Sequence, residues 1–120
     1  MKIGQALEYL HEIGIIIRDL DNTGILMTEV TKDMKLEGAV PRISRLKQAR
    51  VMGQDEVTRG IFGDIRFRAP EVVAGKPYDF KADAWSFGVV LFFLLTATYP
   101  FDEKSHNSEF VHLSIEEQIL

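Results

Sequence analysis

The 120 residues contain no cysteine, which excludes a disulfide framework and a thiolate-bound zinc site. They contain no long run of lysine and arginine. With a formal net charge of −4, nucleic acid is excluded as the main partner. No apolar stretch reaches membrane-spanning length without interruption, since the longest, Ala82 to Leu95, is broken by Asp83, Ser86 and Gly88. No repeat or low-complexity tract is present. Residues 1–20 carry Glu8, Glu12 and Asp19 with no small-residue cleavage site after them, so they do not read as a signal peptide. The histidines His11, His106 and His112 share no ligand spacing and read as structural, on helix surface or in loops. These absences leave a soluble protein, intracellular and cytoplasmic, with no membrane partner.

Hydrophobic residues make up 46% of the chain, enough for a core, and the length suits one domain. The stretch from Ala69 to Phe101 is its centre. A helix that is apolar on all faces belongs inside, so Ala82 to Leu95 reads as a central helix with other elements around it, ended by Pro100. Asp83 at its start is costly there unless backbone amides or a cation meet the carboxylate.

Ala69-Pro70-Glu71, followed by Asp83-Ala84-Trp85-Ser86-Phe87-Gly88, resembles the protein-kinase fold in its larger, C-terminal lobe. Leu95-Thr96-Ala97-Thr98-Tyr99-Pro100-Phe101-Asp102 is similar to the calmodulin-dependent-kinase-like branch of the serine/threonine kinases. The resemblance implies a mainly α fold with short β-strands. It makes residues 1–120 a partial kinase-like C-lobe, from the helix before the catalytic loop to the start of a later helix. It also implies that Asp83 bonds catalytic-loop amides and that Asp83, Glu71 and Trp85 are structural anchors. The arginine partner of Glu71 would lie beyond Leu120. The Gly-rich loop, the strand with the phosphate-binding lysine and the helix with its glutamate have no counterpart in these residues. The implied partner is therefore the missing lobe or another protein, and incomplete cover over Phe92, Phe93 and Leu94 implies self-association.

Helical spacing of Ile3, Ala6, Leu7, Leu10 and Ile13 predicts a helix over Lys2 to Ile13, stopped by Gly14. Ile15 to Ile17 suits a short strand. Ile25 to Met27 and Arg42 to Ser44 read as two more, joined by a polar excursion from Thr28 to Pro41 that reads as a surface hairpin. Asp102 to Ser108 reads as a polar loop. Ser114 with Glu117 forms the signature of a capped helix start.

Arg18-Asp19-Leu20 stands where the family has its catalytic loop. There the family's Asp orients the substrate hydroxyl, a Lys steadies the transferred phosphate and an Asn holds magnesium. Asp19 is retained. The family His is Ile17, the Lys is Asp21 and the Asn is Gly24. Asp21 sets a negative charge beside the γ-phosphate position, which at an effective dielectric near 20 and ~4 Å costs about 4 kcal/mol. The family's second metal-holding motif, Asp-Phe-Gly, reads Arg45-Leu46-Lys47. Neither Gly24 nor Arg45 can ligate magnesium, so no cofactor is expected in this chain, although the family uses ATP and magnesium.

Several positions admit two readings. Arg42, Arg45, Lys47 and Arg50 make either a solvated basic loop or a set in which Arg45 pairs with Asp19 or Asp21 as an internal cation. Thr58 is either an ordinary exposed residue or a phosphorylation site gripped by Arg18. Asp64 replaces the Thr that would bond the catalytic Asp and adds a third carboxylate near Asp19 and Asp21. The three either bind a hard cation or are neutralised by Arg18, Arg45 and Arg66. The function expected is a pseudokinase that binds or scaffolds, with Asp19 idle. The alternatives are an active serine/threonine kinase whose other parts lie outside these residues, and a truncated product with no function.

Overall fold

A computed structural model describes residues 2–33, 38–103 and 114–120. The expectations for His106 and His112, and for most of the loop from Asp102 to Ser108, lie outside the described residues. Helix α1 spans Lys2–Glu12 and buries Ile3 and Leu7, as the apolar spacing predicts. Gly14 ends it with φ +80°, and a Cβ there would stand 2.7 Å from the Met52 carbonyl oxygen. A left-handed turn that close to backbone admits only glycine.

Strand β1, Ile15–Ile16, pairs antiparallel with β4, Arg50–Val51, setting Ile16 opposite Arg50. Strand β2, Ile25–Thr28, pairs antiparallel with β3, Val40–Ile43. A 3-10 turn at Asn22–Gly24 precedes β2, and another at Ile65–Phe67 leads into the short helix α2, Pro70–Val73. Pro70 sits in its first turn, where the missing N–H costs nothing.

Helix α3, Lys81–Thr96, runs through the middle. Asp79 accepts the Lys81 amide at 2.9 Å, supplying the acceptor that Phe80 cannot. The expected terminator, Pro100, is not what ends the helix. Ala97 does so in a left-handed conformation (φ 55°), its N–H returning to the Phe93 carbonyl. The expectation of burial on all faces also fails. Ala82, Asp83, Val89 and Val90 are buried, but Phe92 is 41%, Leu94 63% and Leu95 85% exposed. Apolar composition states what a helix would bury, not which neighbours reach it.

Three apolar clusters hold the elements together. Ile16, Met52, Ala69, Val72, Tyr78 and Ala82 pack beneath the start of α3. Leu7, Ile17 and Leu20 join α1 to the loop after β1. Phe67 packs on Val89 and Val90. Ile17, at the family's His position, is fully buried, a gain of about 1.5–3 kcal/mol over exposure. Helix α4, Ile115–Ile119, starts with the expected reciprocal cap: Ser114 N–H donates to Glu117, and the Glu117 amide donates to Ser114 Oγ. Those Ser114 bonds hold the Glu117 carboxyl below its usual range. Among the described residues no helix is long and apolar enough to cross a membrane.

Candidate functional site

The loop from Ile17 to Gly24 is hung on α3. Asp83, 1% exposed, accepts the Ile17 amide at 2.7 Å on Oδ2 and the Arg18 amide at 2.9 Å on Oδ1. The donors that its buried position demanded are thus amides of this loop, those the resemblance implies. A third contact was not legible in the sequence: His11 Nε2 lies 2.9 Å from Asp83 Oδ2 and its ring meets Phe80. The pair is 72 residues apart, so no spacing rule finds it. Arg18 itself has φ 66°, which a non-glycine residue holds only when its surroundings enforce it. Both neighbouring amides on one carboxylate provide that enforcement.

Asp21 shapes the next turn. Its Oδ1 accepts the Thr23 amide (2.8 Å), the Thr23 hydroxyl (2.6 Å) and the Gly24 amide (2.9 Å), capping the Asn22–Gly24 turn. Its Oδ2 accepts from Arg45 Nη1 at 2.8 Å. Arg45 Nη1 also reaches the Thr23 hydroxyl at 2.8 Å, and Nη2 reaches Asp19 Oδ2 at 3.2 Å. One guanidinium therefore bridges both loop carboxylates. Of the two readings of the basic cluster, the internal cation describes Arg45, while Arg42 makes exposed contacts with the Thr28 hydroxyl and Glu29. Gly24 matters here beyond the loss of a ligand. A Cβ on it would stand 3.4 Å from Arg45 Cβ and Cδ, at the edge of ordinary van der Waals contact, so the arginine stem packs directly over this glycine.

Magnesium does not fit this donor set. Its two family positions are a bare glycine and a cation already seated on both carboxylates. Asp64 does not join Asp19 and Asp21. It caps the Ile65–Phe67 turn and pairs with the Arg66 guanidinium through both oxygens. The Arg66 hydrogen bond holds the Asp64 carboxyl below its usual range against the opposing effect of burial. Local pairing two residues away wins over a more distant shared site. Among the described residues no group of three acidic, His or Cys side chains comes together to hold a metal. Without a hydroxyl at position 64, Asp19 Oδ1 is buried with no partner among the described residues, and Gly63 (φ +72°) lies against it.

Thr58 is not an exposed threonine. It is 1% exposed and exchanges both backbone bonds with Tyr78. Arg18 Nη1 does approach its hydroxyl, at 3.4 Å. Trp85 stacks on Phe101, and its indole N–H has no acceptor among the described residues. Glu71 makes no ion pair among the described residues.

Residues 1–119 match the family model described as protein kinase domain. The chain is 39% identical over 100 residues to the Arabidopsis thaliana serine/threonine-protein kinase STY46, covering 83% of this chain and 16% of that protein. It is 32% identical over 106 residues to human ribosomal protein S6 kinase alpha-6, covering 88% of this chain and 13% of that protein. It is 37% identical over 101 residues to the Arabidopsis thaliana serine/threonine/tyrosine-protein kinase HT1, covering 84% of this chain and 24% of that protein. The chain thus spans less than a quarter of the length of these relatives.

Proposed function

We propose, from the premise that this chain belongs to the protein kinase superfamily, that residues 1–120 are part of a C-lobe that acts by binding rather than by phosphoryl transfer. One observation carries this reading: Arg45 bridges Asp19 and Asp21. Phosphoryl transfer depends on cations that neutralise the phosphates and on a free carboxylate facing the substrate hydroxyl. Here the carboxylate is tied to an arginine, and the metal positions offer no oxygen. Asp19 is idle in this reading, and Arg18 serves to hold the segment around Thr58.

The test is transfer of labelled phosphate from magnesium-ATP to a generic protein substrate, with Arg45→Ala beside the unaltered chain. No transfer above the blank is expected from either. Transfer by the unaltered chain would reverse the reading.

A second reading, a serine/threonine kinase whose other elements lie outside these residues, is favoured by the intact suspension of the loop on Asp83. It requires transfer once those elements are supplied.

The exposed apolar end of α3 is the surface such a binding module would use, and association of the chain with itself follows from it. Binding of an apolar dye and a concentration-dependent mass in sedimentation are expected. A monomer at all concentrations that leaves the dye dark would contradict the association.

A further inference from the structure

The end of α3 carries two apolar faces with different surroundings. Val90 and Leu94 face a cleft of about 440 Å³, whose other walls include Ile3 of α1, Ile25 and Met27 of β2 and Pro41 of β3. Asn22 is the one polar residue in its lining, and its Nδ2 is turned to the Tyr99 hydroxyl at 3.4 Å. The cleft is therefore a slot for apolar side chains. Phe92 and Leu95, three residues apart and so on one face of the helix, project into solvent instead. Leu95 is the most exposed large apolar side chain among the described residues. The exposed parts of Met27, Phe92, Leu94 and Leu95 come to on the order of 400 Å². The cleft walls add to that, against about 800 Å² per partner in a standard interface.

We propose that the chain pairs with a second copy of itself here, the Phe92 and Leu95 face of each α3 seated in the other's cleft. The inference rests on the self-association read above and names the two surfaces that make it. What selects a second copy is self-complementarity: the slot and the side chains that fit it belong to one end of one helix. A two-fold axis beside that end sets each slot against the other copy's projection. One pairing then fills both slots and closes the assembly at two. Anchors three residues apart on a helix, laid in an apolar groove, are a recurrent mode of docking. Met27 lines the slot while 43% exposed, so it forms the lip that the incoming Leu95 crosses.

Sedimentation equilibrium on the chain tests it with two variants, Leu95→Lys in the projection and Met27→Glu on the lip. Both side chains are partly or mostly exposed, so neither change enters the core. The unaltered chain is expected to form a dimer. Each variant alone is expected to associate at least about tenfold more weakly, the loss of an interface anchor. The two variants mixed in equal amounts are expected to dimerise again, to within about threefold of the unaltered chain. One contact of the mixed pair is native, and the other sets the new ammonium against the new carboxylate. General apolar stickiness gives no such recovery. A mixture that stays monomeric overturns the proposal, because the two positions then do not face each other. Single variants that dimerise as tightly as the unaltered chain also overturn it, and leave the association to another surface. A chain that is monomeric at every concentration removes this inference and the association together. The reading of the Arg45 site stands apart from all of these outcomes.

Discussion

Asp83→Ala destabilises the chain by about 2–4 kcal/mol in urea denaturation. The carboxylate is 1% exposed and answers three donors: the Ile17 and Arg18 amides and His11. Alanine leaves both amides without an acceptor in a place water does not reach. Relief of the left-handed conformation at Arg18, which costs about 1–2 kcal/mol to hold, offsets part of this loss. The loop carrying Asp19 then loses its suspension from α3. Asp83→Asn keeps one acceptor oxygen and is expected to fall between the two. His11→Ala leaves the amide bonds in place and costs less than Asp83→Ala. A loss below about half a kcal/mol for Asp83→Ala would show that the carboxylate does not anchor the loop.

Gly63→Ala is expected to cost about 2–4 kcal/mol, again by urea denaturation. Part of this is conformational, because φ is +72°. The rest is collision, since the new Cβ would overlap Asp19 Oδ1, an oxygen that is buried with no partner among the described residues. Gly75 separates the two parts. It has φ +68° and nothing within 4 Å of its would-be Cβ, so Gly75→Ala pays only the conformational part, about 1–2 kcal/mol. Equal losses at the two glycines would mean that Gly63 is not pressed against Asp19.

Where the sequence was legible, the interactions are local or forced by chemistry. The periodic apolar residues of α1, the stop at Gly14 and the Ser114–Glu117 cap sit within a few residues of their causes, and the hairpin joins successive strands, its second lying at Val40–Ile43 instead of the expected Arg42 to Ser44. The need of Asp83 for donors was legible because a buried carboxylate must have them. The pairing of Arg45 was one of two readings the sequence left open beside a solvated basic loop, and the structure joins Arg45 to both carboxylates. What stayed hidden depends on distant partners. Thr58 is buried by a bridge to Tyr78, and His11 meets Asp83 from another helix. Asp64 was misplaced because Arg66, two residues on, holds it away from Asp19. The end of α3 was misplaced because Ala97 takes a left-handed conformation that alanine seldom adopts.

The binding of ATP with and without magnesium addresses most directly the proposal that Arg45 stands in place of the metal. In titration calorimetry with millimolar ATP, the chain is expected to bind no more tightly with magnesium than with chelator, because Gly24 offers no ligand and Arg45 occupies Asp19 and Asp21. Tighter binding with magnesium would mean that the ion displaces the arginine and takes the carboxylates, and it would contradict a site closed to metal.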